Sequence, residues 1–213
     1  MKNAIIGSLA VLPLVAAGVF TNAGSASAAA LVGEFQFNGG FTTATISSNL
    51  VDFTEPGLIF LNLQTDSFVP FNSAFVNDLT PIGGAAAVNP FMDLETAMFP
   101  GAGDGFNLFN VTSINPFAIS QSGANVAIDL AVFGNFVSAD GMISKGAGNL
   151  TFQVNNAEAA DIQALIASGG SVNAAFSGGA FAMASVPEPT TLAGLGLVAG
   201  SLAFARNRKK NKA

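Results

Sequence analysis

Apolar and polar residues alternate in short runs along the middle of this chain. In Glu34-Phe35-Gln36-Phe37 the two rings share one side and the two polar residues the other, the period-2 pattern of a half-buried strand. Asn38-Gly39-Gly40 follows, a turn signal that predicts a hairpin with 41–46 as the partner strand. Further along, Val126, Ile128, Leu130 and Val132 share a face, with Asp129 opposite. Leu150, Phe152 and Val154 alternate with Thr151 and Gln153, and Val172, Ala174 and Phe176 continue the pattern. Gly178-Gly179 then predicts a turn or bulge. Many short strands of this kind predict a mainly β domain, an antiparallel β-sandwich or partly open barrel, with a β-solenoid as the alternative. One segment, 157–168, has helical spacing instead. Asn156 is its expected cap, Glu158 and Asp161 suit its first turn, Ile162, Leu165 and Ile166 form its apolar face, and Gly169-Gly170 stops it. The Gly-, Ala- and Pro-rich stretch 81–105 reads as a long irregular connection.

The two ends carry longer apolar runs. Lys2 precedes an uncharged apolar run over 4–20, and Ala26-Ser27-Ala28 fits a signal-peptidase site. Residues 1–28 therefore read as a secretory signal forming a signal helix, with signal peptidase as a partner and cleavage between Ala28 and Ala29. At the other end Val186-Pro187-Glu188-Pro189 is held extended by its prolines. The apolar run 192–205 spans only about 21 Å as a helix, against roughly 30 Å of hydrocarbon. Adding Thr190 and Thr191 and letting Arg206 and Arg208 snorkel gives a marginal transmembrane helix over about 190–205. The basic tail 206–212 should then stay cytoplasmic. This divides the chain into a signal (1–28), an exported body (29–185) and a C-terminal module (186–213).

That module resembles a known signal. Pro187-Glu188-Pro189, a short apolar helix and a terminal cluster of Arg206, Arg208, Lys209 and Lys210 together resemble the PEP-CTERM sorting signal of bacterial surface proteins. The resemblance covers roughly 186–210. It implies that Pro187, Glu188 and Pro189 are recognised by exosortase, a membrane transpeptidase-like enzyme, and that the basic cluster acts as a stop. It also implies anchoring in the inner membrane, processing of the tail, and a final place at the cell surface or outside the cell, in a setting of exported polysaccharide.

Composition narrows the chemistry of the body. The chain has no Cys, His, Trp or Tyr but has 20 Phe. There is thus no thiolate or imidazole for a metal, a disulfide or a catalytic triad. Lys145 is the one cation between 29 and 185, against 12 of the chain's 13 acids, a net charge of −11. Such a body suits neither nucleic acid nor phosphate ligands. Gly101, Gly103 and Gly105 around Asp104 lack the strand and Lys of a phosphate loop, so a plain loop is expected. Calcium needs only oxygen ligands. Asp104 and Asp140 are candidates for it, with Asp93 and Glu95 as further acids expected in loops. A glycoside hydrolase would need two of these carboxylates to converge across a cleft. The favoured expectation is a non-enzymatic surface or extracellular-matrix protein without a cofactor, structural or adhesive, touching exopolysaccharide or other surface proteins. A calcium- or carbohydrate-binding module is the rival.

Overall fold

The computed structural model describes residues 29–183. Their strands are β1 (Gly33–Asn38), β2 (Ala44–Ile46), β3 (Val51–Phe53), β4 (Leu58–Asn62), β5 (Ser73–Val76), β6 (Met92–Glu95), β7 (Leu108–Ile114), β8 (Ala118–Ser122), β9 (Asn125–Val137), β10 (Ile143–Val154) and β11 (Val172–Met183). One helix, α1 (Ala159–Ala167), joins β10 to β11. The expected signal at 1–28, the expected helix over about 190–205 and the basic tail lie outside the described residues.

Every strand pairing is antiparallel. Eight strands follow one another in the order β1-β4-β5-β6-β7-β9-β10-β11, and β11 pairs with β1 again. The result is a closed barrel rather than a sandwich, a partly open barrel or a solenoid. Closure removes the two sheet edges that an open form would expose.

Two of the long strands, β9 and β11, make this possible, because each serves two partners in sequence. β11 pairs with β2 over Val172–Ala174 and with β1 over Ser177–Ala182. β9 pairs with β8 over its first half and with β7 over its second. Thus β1 and β2 run in the same direction along one strand. The expected hairpin at Asn38-Gly39-Gly40 does not form: the segment is a break in a single line of pairing. Its Gly39 N–H still donates to Phe176 O at 3.0 Å, on β11. Gly178 and Gly179 likewise sit inside β11 instead of ending it. Gly178 is the register partner of Phe37, and a Cβ there would run into the Phe37 ring. The glycine makes room for an aromatic side chain.

The alternation read from the sequence otherwise holds. Phe35 and Phe37 are buried, as are Val126, Ile128, Leu130, Val132, Leu150 and Phe152. Asp129 faces outward and accepts a hydrogen bond from Thr151 Oγ1 at 2.6 Å. The helix begins two residues later than 157 and packs on β8 and β9 through Ile162 and Ile166, while Leu165 is exposed. Asn156 does not cap it. Asn156 holds a left-handed backbone, Glu158 occupies the cap position without a side-chain bond, and Gln121 Oε1 of β8 accepts from Ala159 N–H at 2.7 Å. A helix so short meets its free N–H groups with whatever acceptor the neighbouring strand offers.

Phenylalanine fills the interior. Phe109 and Phe136 stack with centroids 4.3 Å apart and planes at 12°. Phe68 meets Phe136 at 5.2 Å and Phe35 at 4.8 Å. Phe91 joins Phe109, at 6.2 Å, to Phe53, which packs on Phe176 at 5.0 Å. The rings form one connected set from end to end. Gly146 of β10 leaves space for the stack, since a Cβ there would lie 2.6 Å from Phe136 and 3.0 Å from Phe109. Phe136→Ala should therefore cost about 3–5 kcal/mol, the usual range for emptying a buried aromatic site. Urea unfolding followed by far-ultraviolet circular dichroism measures it, and an unchanged midpoint would show that the stack does not support the barrel.

Candidate functional site

The stretch 81–105 is not wholly irregular, because β6 lies within it. Met92 and Leu94 point into the barrel and Asp93 and Glu95 point outward, as successive strand residues must. Yet all four are buried. The cause is the connection from β6 to β7, residues 96–107, which folds back over the outer face of β5 and β6. Asn72 Nδ2 donates to Thr96 O at 2.6 Å and Ser73 Oγ to Ala97 O at 2.7 Å. Phe99 reaches Phe60 of β4, with ring centroids 5.5 Å apart.

The far end of this loop closes on the two acids. Asp104 N–H donates to Glu95 Oε1 at 2.8 Å, and Gly105 N–H donates to Asp93 Oδ2 at 2.9 Å. The glycines are needed for this approach. Gly105 has φ +77°, and a Cβ on Gly103 would run into Asp93 Oδ2. The same turn carries Asp104, whose Oδ1 accepts from Phe106 N–H at 2.8 Å. One carboxylate oxygen from each of Asp93, Glu95 and Asp104 lies within 4.8 Å of the others. Asp93 and Glu95 are only 8% and 6% exposed, whereas Asp104 is open to solvent. Asp93 Oδ1 is buried and has no hydrogen-bond partner among the described residues.

Two of the sequence candidates thus behave differently. Asp104 joins the cluster. Asp140, exposed after β9, does not belong to it. Asp93 and Glu95 are strand residues rather than loop residues, and they supply the buried part of the group. Sequence reasoning missed the convergence because Asp-x-Glu on a strand is unremarkable until something covers it. The available signal was the Gly-Ala-Gly-Asp-Gly run at 101–105, which allows backbone N–H groups to approach anions closely.

The electrostatics follow from burial. Asp93 has its pKa raised, first by desolvation and then by the nearby Asp104 charge, with the Gly105 N–H opposing. Glu95 is raised for the same reasons, with the Asp104 N–H opposing and Asp93 adding to the repulsion. The flanking strands β5 and β7 carry no titratable residue, and Asp104 is the only one in 96–107.

A second feature lies on the opposite wall. Phe133 of β9 and Phe181 of β11 flank Ala147 of β10 in register. Each is 45% exposed, and with Met183 and Lys145 they line a shallow groove.

The family comparison concerns the end of the chain. Residues 185–209 match the family model of the PEP-CTERM protein-sorting motif. The chain carries a PEP-CTERM sorting motif. Such a motif implies export, membrane anchoring and exosortase-type processing. Pro187, Glu188 and Pro189, and the basic residues Arg206, Arg208 and Lys209, fall inside the match, with Lys210 one position past its end; all of them lie outside the described residues. Ala28 of the expected signal cleavage also lies outside them, and Ala29 is the first described residue. No helix among the described residues is long and apolar enough to cross a membrane. Neither the curated proteins nor the solved structures gave a match to this chain.

The raised pKa values have a definite sign. The folded protein holds protons on Asp93 and Glu95 more tightly than the unfolded chain does. Stability therefore falls as pH rises from the ordinary carboxylate value of about 4 through the raised native values. With divalent ions chelated, Asp93→Asn removes part of this penalty. Relative to the unaltered protein, its melting temperature in differential scanning calorimetry should be higher at neutral pH than at about pH 4.5. A pH-independent difference would contradict the raised values.

Proposed function

We propose that this protein is an exported bacterial surface or extracellular-matrix component. Its PEP-CTERM end delivers a non-enzymatic barrel whose role is structural or adhesive. The sorting-motif match at 185–209 carries the reading. Exosortase acts on the Pro187-Glu188-Pro189 end after signal peptidase has removed 1–28, and the body then stays at the surface or leaves the cell.

The barrel offers support for an associating role. Its outer wall displays Phe133, Phe181 and Met183 together, and Phe41 and Phe99 are 83% and 68% exposed. Exposed rings grouped this way suit contact with another apolar surface better than solvent. The carbohydrate rival draws less support. The polar hollow lined by Thr43, Thr45, Thr54, Gln153, Asn155 and Asn173 contains neither an aromatic ring for sugar stacking nor a carboxylate. The calcium rival is favoured by the Asp93–Glu95–Asp104 cluster, and a structural barrel accommodates such a site without conflict.

Removing residues 187–213 tests the sorting reading. Tagged full-length protein should appear in the surface or medium fraction. The shortened chain should bypass surface retention and change fraction. Mass spectrometry of the surface material should find no peptide preceding Ala29. An identical distribution of both chains, both within the cytosol, would reject the proposal.

A further inference from the structure

Three carboxylates meet at the seam between β6 and the 96–107 loop, and the protein supplies little to balance them. Two backbone N–H groups reach Glu95 and Asp93. Lys145, the only cation in 29–183, sits on β10, three strands away from β6 around the barrel. Burying like charges side by side without a counter-charge is costly.

Two independent details go beyond mere clustering. Asp93 is more than nine-tenths buried, and its Oδ1 accepts no hydrogen bond from the described residues. A buried carboxylate oxygen without a partner forfeits its hydration for no return, unless something outside the protein meets it. The loop also sets Asp104 beside the two buried acids, because Gly103, lacking a side chain, lets the backbone lie against Asp93. The third carboxylate is thereby placed where it worsens the repulsion of the bare protein and completes a ligand set for a cation.

We infer that Asp93, Glu95 and Asp104 bind a divalent cation, calcium, which fastens the 96–107 loop to the outer face of the barrel. All three donors are hard carboxylate oxygens, the set preferred by calcium and magnesium and poorly suited to zinc or copper. Asp104 lies on the exposed side, so water completes the coordination there. Calcium tolerates such an irregular, partly hydrated shell, whereas magnesium demands a near-regular octahedron. The preference for calcium draws on the export reading, since extracellular calcium sites work at about 10⁻⁴–10⁻³ M. The site itself does not depend on that reading. Binding measured on purified protein succeeds or fails whatever the fraction in which the protein is found.

The test uses the full-length chain purified in mild detergent, unfolded in a calorimeter in EDTA, in calcium chloride and in magnesium chloride at matched ionic strength. The chain has no Trp or Tyr, so calorimetry replaces a fluorescence readout. Calcium at about 10 mM, roughly ten to a hundred times such a dissociation constant, should raise the melting temperature by about 5 °C. Isothermal titration should show one site. Asp104→Asn keeps the Oδ1 acceptor for Phe106 N–H and should fold. It should be at least as stable as the unaltered protein in EDTA, yet lose most of the calcium response. Asp93→Asn should do the same, and Asp140→Asn, outside the cluster, should respond normally. A merely structural cluster would show no such reversal between EDTA and calcium. No calcium-dependent shift, or a shift that survives Asp104→Asn, overturns the proposal. An equal response to magnesium overturns the calcium assignment.

Discussion

A barrel closed by pairing β11 to β1 has no free edge, but it has an interior that must be filled. Eight strands leave a space that side chains can occupy completely. Here phenylalanine occupies it, with Phe35, Phe68, Phe91, Phe109 and Phe136 all essentially inaccessible to solvent. A ring has volume without a polar tip, so none of these residues needs a hydrogen-bond partner in the core, as Tyr or Trp would. The absence of Trp and Tyr from the chain is consistent with that requirement. Rings of this size fit only where the opposing backbone yields space, and Gly146 and Gly178 provide it beneath Phe136 and Phe37.

The same closure explains why strands of such unequal length coexist. β9, β10 and β11 are long because each crosses from the barrel proper into an extension built with β2, β3 and β8. The short strands β5 and β6, of four residues each, are the weak part of the wall, with few inward side chains. Their outer face is covered by the 96–107 loop, and that cover buries Asp93 and Glu95. The acid cluster thus arises as a consequence of how the thin side of the barrel is covered.

The strand periodicity was legible because each strand has one buried face, so apolar residues had to alternate. The helix was legible from Ile162 and Ile166, though its start was misjudged: Asn156 looks like a cap in sequence but is used as a left-handed turn residue. Pairing partners were not legible. Asn38-Gly39-Gly40 has the chemistry of a hairpin turn, and only the length of β11 decides that the chain continues straight along it. β6 was hidden for a different reason. Its four residues do alternate, Met92 and Leu94 with Asp93 and Glu95, but so short a run set within a Gly-, Ala- and Pro-rich stretch reads as part of a connection. The sorting module was legible throughout, because its signal is carried by residue order along an apolar run and not by tertiary contact.

The acid cluster joins these levels. In a body with 12 acids and one Lys, an acidic residue rarely finds an internal partner and normally remains in water. Asp93 and Glu95 depart from this rule, and the backbone N–H groups from Asp104 and Gly105 offset only part of their desolvation. If the loop existed only to protect the thin wall, an uncharged residue at 104 would present the same N–H to Glu95. An Asp there adds a third negative charge at the one place where two are already confined. Within the protein alone that charge adds repulsion, which the cation inferred above would offset from the surrounding solution.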